Sequence, residues 1–240
     1  MADVSEVPGM VLSSMDISEY DKRLVILTSS LGKVTAFARG ARRQTSRFLG
    51  ASQPMAFGKF MLYRGRNSYS LDNANISNYF GNEIKDVDSL YTGMYFLELA
   101  DYFTKEGLEG TDILKLLFFS MKYISNPNAN LELARCIFEL KMLVLNGIYP
   151  DFFTCINCGS DKELVAFDNA RKGMVCKKCL KSQKTLDSST IYALQYIVAS
   201  DLEHLYSFNV LPNVLEELKK IVYPYTNAHT DKKFNSLDFL

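Results

Sequence analysis

No stretch of the 240-residue chain reaches the roughly 18 uninterrupted apolar residues that a membrane span needs. The most apolar segments, 113–124 and 133–148, are broken by Lys115, Lys122, Glu139 and Lys141. The N-terminus has no basic stretch followed by an apolar one, so it does not read as a secretion signal. A cytoplasmic protein with no membrane partner is expected. The Gly-x4-Gly-Lys-Ser/Thr loop of nucleotide hydrolases is missing, as is the His-Glu-x2-His pair of metalloproteases. Only two histidines occur, His204 and His229, and each reads as a surface or core group. These absences favour a binding protein over an enzyme.

Carboxylates are missing from one long block. Ten Lys and Arg fall between Lys22 and Leu71 without a single Asp or Glu, although the whole chain is neutral, with 27 of each sign. A block of one sign attracts polyanions. It also holds no carboxylate with which a nuclease could place Mg²⁺ over a phosphate. Acids from the rest of the chain remain available for such a site.

The pattern of apolar residues indicates an α+β protein. Residues 7–80 alternate β-branched and aromatic runs with turn signals. Strands are predicted over 8–17, 23–29, 33–39, 55–63 and 69–78, with tight turns at Leu31-Gly32-Lys33 and at Arg64-Gly65-Arg66-Asn67. Five strands in about 70 residues suit a small closed barrel of the OB type. Beyond residue 82 the period becomes helical. Helices are expected over 86–106, 111–125, about 129–146, 188–206 and 211–222, the first with an apolar stripe of Val87, Leu90, Met94 and Leu97. The expected division is a barrel over 1–80 and a helical domain over 81–240.

Four of the five cysteines form Cys155-x2-Cys158 and, after seventeen residues, Cys176-x2-Cys179. Two such turns aim four thiolates at one point, a set that Zn²⁺ accepts as a closed structural site with no position left for substrate. Two disulfides are the alternative where the compartment is oxidising, and an iron–sulfur cluster is another. Lys177, Lys178 and Lys181 help offset the thiolate charge. The metal would pin the loop of about 150–185, which looks too poor in apolar residues to hold itself. Cys136 reads as a buried small hydrophobe.

The candidate nucleic-acid contacts are Lys33, Arg39, Arg42, Arg43, Arg47, Lys59, Arg64 and Arg66, interleaved with aromatic residues. Cationic grooves with stacking platforms are how OB proteins hold single strands. Phe37 and Phe60 are assigned to the barrel interior, and Phe48 and Tyr63 to base stacking. Nothing resembles a base-edge code, so little sequence preference is expected. An OB and zinc-knuckle protein that binds RNA is the competing reading.

The words Glu19-Tyr20-Asp21-Lys22-Arg23, Leu31-Gly32-Lys33 and above all Ala38-Arg39-Gly40-Ala41-Arg42-Arg43 with Ser46-Arg47 resemble the RecO family of bacterial recombination mediators. Gln53-Pro54, Leu62-Tyr63-Arg64-Gly65, the four cysteines and the closing Lys233-Phe234-Asn235-Ser236-Leu237-Asp238-Phe239-Leu240 extend the resemblance over nearly the whole chain. Arg39 stands where lysine is common in that family, and some members lack the cysteines. The resemblance implies an OB domain, a helical domain with a zinc loop, and binding to single- and double-stranded DNA. It also implies strand annealing, the partner RecR, the acidic C-terminal tail of single-stranded DNA-binding protein, and loading of RecA on nucleoid DNA. Lys219, Lys220 and Tyr223 on the last helix are a candidate seat for that tail.

Overall fold

The computed structural model describes residues 4–66 and 68–240; Asn67, part of an expected turn, lies outside them. Two compact units emerge, one of residues 4–129 with 234–240, the other of residues 130–233.

In the first unit, β1 (Val4–Asp16), β2 (Lys22–Thr28), β3 (Gly32–Ala38), β4 (Ala56–Arg64) and β5 (Tyr69–Tyr79) close into a barrel of order β1-β2-β3-β5-β4. All pairs are antiparallel except β3 with β5. The barrel is narrow, and its interior is filled by mixed small and large side chains: Val34, Ala36 and Ala38 from β3, Leu24 and Ile26 from β2, Phe60 and Leu62 from β4. Alternation then puts the intervening residues outside. One row across the outer surface runs from Met15 through Arg23, Phe37, Ser70 and Tyr63 and returns to β1 at Val4, the stagger of a tilted closed barrel.

Two aromatic assignments are therefore exchanged. Phe60 is fully buried as expected, but Phe37 stands on the outer row, because Ala36 and Ala38 already fill the space within. Phe48, expected at the surface, is only 6% exposed and plugs the barrel together with Ala41.

The short α1 (Phe80–Glu83) leads to α2 (Val87–Phe103) and α3 (Thr111–Ile124). Asp86 caps α2 by accepting from the Ser89 N–H at 2.7 Å. Helix α2 packs on β1 and α3. Of the expected stripe only Leu97 lies on its buried face. Val87, Leu90 and Met94 are exposed, whereas Ser89, Thr92, Gly93, Phe96 and Leu97 are buried. The small residues allow close approach: a Cβ on Gly93 would lie 2.9 Å from the Met55 methyl group. The C-terminal segment returns to α2. Phe234 packs edge-on against Tyr95 and Tyr102, Ser236 donates to Glu98 at 2.7 Å, and Phe239 stacks on Tyr91.

The second unit holds α4 (Leu131–Leu145), a hairpin of β6 (Leu164–Asp168) and β7 (Gly173–Cys176), α5 (Ser188–Ala199) and α6 (Pro212–Ala228). Helix α4 packs on both α5 and α6. Cys136 is fully buried within it. Helix α5 ends earlier than its apolar run, because the buried Lys141 ammonium takes the carbonyls of Ile197, Val198 and Ser200 at 2.7–3.2 Å and caps its C-terminus there. Helix α6 runs past the expected end and through Pro224, where burial of Val222, Tyr225 and Thr226 outweighs the missing N–H. The loop of 150–185 has more internal packing than its composition promised. Ala166, Phe167, Met174 and Val175 are buried, and Phe167 stacks on Phe152. Among the described residues no helix is long and apolar enough to cross a membrane.

Since Phe234 is 2% exposed between two tyrosines, Phe234→Ala should destabilise the first unit by about 3 kcal/mol or more. Urea denaturation measures this, and a loss below about 1 kcal/mol would mean that the C-terminal segment does not contribute to that core.

Candidate nucleic-acid interface and metal centre

The cations of the barrel concentrate at one end. There β1 finishes, β2 begins and β3 finishes, with Asp16, Lys22 and Ala38 in register. Gly40, at φ 67°, turns the chain just beyond, and its N–H donates to Asp21 at 2.7 Å. That turn folds the following arginines back on the β1–β2 connection. Arg42 donates to the Ser18 carbonyl at 2.6 Å and pairs with Asp16 at 3.2 Å, and the Arg43 guanidinium lies 4.9 Å from the Tyr20 ring centre. Arg39 is exposed beside them. Arg64 pairs in register with Tyr69, and Tyr69 pairs with Ala36 in the parallel β3–β5 pair, so the β4–β5 turn with Arg64 and Arg66 lies along the β5 edge of β3, before Ala36 and toward Gly32. The outer face of β2 and β3 thus lies between two loops that carry cations, the arrangement in which OB barrels take oligonucleotides.

Three of the sequence candidates depart from this group. Lys33, at the far end of β3, donates to the Asp101 carbonyl at 2.6 Å and pairs with its carboxylate at 3.1 Å. Arg47 donates to the Asp72 carbonyl and covers the Phe48 ring at 4.8 Å. Lys59 is exposed in β4, opposite Pro8 and Asn75. The acid-free block is also partly neutralised in space, since Asp16 meets Arg42 and Lys22 and Asp101 meets Lys33. These contacts are exposed or half-exposed ion pairs of small net energy, which a phosphate can replace. Sequence reasoning passed over Arg23 and Phe37. Both lie on the outer row, adjacent in register. The signal was present in the strict alternation of Val34, Ala36 and Ala38.

On α6, Lys219 is held by Glu132 and Glu216, and Tyr223 lies under the Arg135 guanidinium at 4.0 Å. Lys219 therefore offers no free ammonium to an acidic peptide.

The four cysteines of the second unit converge. Their sulfurs all lie within 4.8 Å of one another. A tetrahedral site with Zn–S bonds of about 2.3 Å requires S···S separations of about 3.8 Å, and Cys158 and Cys176 stand 3.7 Å apart. The hairpin builds this convergence. Cys176 ends β7, and the first knuckle docks on the same strand through the Ile156 N–H to the Met174 carbonyl at 2.8 Å. Gly159, at φ 71°, closes the knuckle by donating to the Cys155 carbonyl at 2.8 Å. Burial pushes the Cys155 thiol up, but N–H donors from Cys176, Asn157 and Cys158 outweigh it and bring the thiol down to about 6. Hydrogen bonding to Cys158 and Cys176 pushes Cys179 up to about 12, with burial and the charge of Cys155 adding to it. Four sulfurs crowded this closely call for a cation to neutralise them. These residues fit a metal ion.

A polar network supports the knuckle. Asp168, at the end of β6, accepts from the Ala170 and Arg171 N–H groups, from the Arg171 guanidinium at 2.9 and 3.1 Å, and from Gln183 at 2.9 Å. Arg171 donates onward to the side chain of Asn157, between the first two cysteines. The Arg171 N–H, the Gln183 amide and the Arg171 guanidinium together hold the Asp168 carboxyl well below the usual range.

An OB-like barrel with cationic loops, joined to a helical unit whose four cysteines converge as a possible metal site, defines a two-part class of barrel and cysteine-knuckle protein. Two family models match the chain, Recombination protein O N terminal over residues 1–80 and Recombination protein O C terminal over residues 84–238. The chain is 31% identical over 235 residues to the DNA repair protein RecO of Alkaliphilus metalliredigens, covering 96% of each. It is 28% identical over 237 residues to that of Acetivibrio thermocellus, covering 97% of this chain and 94% of the relative. A third, from Caldicellulosiruptor saccharolyticus, is 31% identical over 234 residues, covering 96% and 95%. The chain belongs to the RecO family of DNA repair proteins.

Asp168→Asn keeps the shape of the network and removes its charge. It should lower metal affinity about 10-fold or more, the cost of losing an outer-shell partner. Competition against a chromogenic chelator reads this directly; unchanged affinity would show that the network does not hold the knuckle.

Proposed function

We propose that this protein is a non-enzymatic DNA-binding and strand-annealing mediator of recombinational repair in the bacterial cytoplasm. Residues 1–80 are its DNA-binding domain. Residues 81–240 are its helical domain, with the loop of about 150–185 closed by structural Zn²⁺. The observation that carries this reading is the gathering of Arg23, Arg39, Arg42 and Arg43 at the end of β1–β3, with Arg64 and Arg66 across the outer face on the β5 edge of β3.

The guanidinium groups contact phosphates and leave the bases free. Phe37 and Tyr63, on either side of Ser70 in the outer row, offer ring faces to unpaired bases. Two phosphate backbones repel each other, and cations held between them lower that repulsion so that complementary bases can meet. Pairing supplies the free energy, and neither ATP nor a covalent step is needed. The barrel accepts single strands and, through the same phosphate contacts, duplex. The family resemblance supports RecR as a partner, recruitment by the C-terminal tail of single-stranded DNA-binding protein, and loading of RecA onto the exposed strand.

Zn²⁺ suits the four sulfurs as a closed site. Bound there, it neutralises thiolate charge and locks the two knuckles together. Cys155, Cys158, Cys176 and Cys179 would hold it, and all four positions are filled by protein.

Charge reversal tests the reading. Arg42→Glu with Arg43→Glu should weaken single-strand binding at least about 25-fold at 0.1 M salt, from roughly 5-fold per phosphate contact. Annealing of complementary oligonucleotides should be lost, with metal content and helical circular dichroism unchanged. Full annealing by this variant would contradict the proposed surface. Matched single-stranded RNA that outcompetes DNA would favour an RNA-binding protein instead.

A further inference from the structure

A second part of the chain also excludes carboxylates. From Asn169 to Leu186 there are six cations and no Asp or Glu. Two of them are committed within the unit, Arg171 to Asp168 and Lys172 over the Tyr225 ring at 5.9 Å. The other four, Lys177, Lys178, Lys181 and Lys184, are exposed, and among the described residues none is in an ion pair.

Neutralising the metal centre does not account for them. Four thiolates around a divalent ion leave about two negative charges, fewer than the four free lysines of this stretch. Nor is the segment a loose basic tail. The Lys177 N–H donates to the Glu163 carbonyl at 2.9 Å, and Cys176 and Cys179 belong to the sulfur cluster. The Lys181 N–H donates to the Gln183 side chain at 3.0 Å, and Gln183 is fastened to Asp168. Thr185 bridges to Ala166, and the Leu186 N–H donates to the Val165 carbonyl at 2.8 Å. Each free ammonium thus projects from a backbone that is already fixed, so binding an anion costs side-chain entropy alone.

We propose that the metal-binding module carries a second phosphodiester-binding surface, made of Lys177, Lys178, Lys181 and Lys184. This rests on reading the protein as a DNA-binding protein and adds a site on a different compact unit from the barrel. Lysine is a point charge without the fork of arginine, so this surface takes a sugar-phosphate backbone irrespective of sequence. One chain then holds two strands at once, one on each unit, which is what annealing requires.

The count of strands per chain tests this. Calorimetric titration of the full-length, metal-loaded protein with a thymidine oligomer of about twelve nucleotides, near the site size of one OB fold, should give two oligomers per chain. Lys181→Gln with Lys184→Gln should weaken the second site about 25-fold at 0.1 M salt, from roughly 5-fold per lost contact, and leave the first unchanged. Lys177→Gln with Lys178→Gln should do the same with metal content intact; should that pair lose its metal, the 181/184 pair still decides, because it lies outside the knuckles. Replacement of all four by Arg should restore the count to two. One oligomer per wild-type chain, or two per chain undisturbed in the 181/184 variant, would overturn this proposal alone. Binding of no oligomer by the wild type would overturn the DNA-binding reading together with it.

Discussion

A five-stranded barrel has an interior too narrow for charged side chains, and the placement of cations follows from that constraint. Small side chains at Ala36 and Ala38 and larger ones at Leu24, Ile26 and Phe60 fill the space. Every cation between Lys22 and Arg66 must then find a place outside or in the loops. The loop after β3 uses two apolar residues, Ala41 and Phe48, to plug the barrel, which leaves Arg42, Arg43 and Arg47 at the surface around that plug. Desolvation expels the charges, and the register of the strands decides where they gather.

Much of this was legible in the sequence. All five strands were placed within a few residues of their observed ends, because turn residues and alternation report a small barrel well. The four cysteines specified their own convergence through spacing. What escaped were choices that depend on space more than on pattern. Phe37 was read as core because alternation must send some of the aromatic residues inside, yet the interior beside it takes Ala36 and Ala38. On α2 the apolar stripe of Val87, Leu90 and Met94 faces out, since close packing around Met55 and Ile124 favours the small Gly93 side of the helix. Long-range ion pairs escaped as well. Asp101 lies 68 residues from Lys33, and no local pattern could have joined them.

The cysteine cluster and its hairpin show how a short, polar segment acquires a fixed shape. The β6–β7 hairpin supplies a small apolar core, the sulfurs supply one point of closure, and Asp168 links the hairpin to the first knuckle and to the segment that follows the second. None of these alone would order some thirty residues against their conformational entropy, which is roughly 1–2 kcal/mol per residue for the backbone. Together they turn a lysine-rich stretch into a rigid surface, and this is why its charges invite a functional reading.

Electrostatic capture of a strand by the barrel would reveal itself in the salt dependence of single-strand binding. If the cationic end of the barrel contacts about four to six phosphates, the logarithm of the binding constant should fall against the logarithm of salt concentration with a slope of roughly −3 to −4. A slope near zero would mean that these cations hold no phosphates.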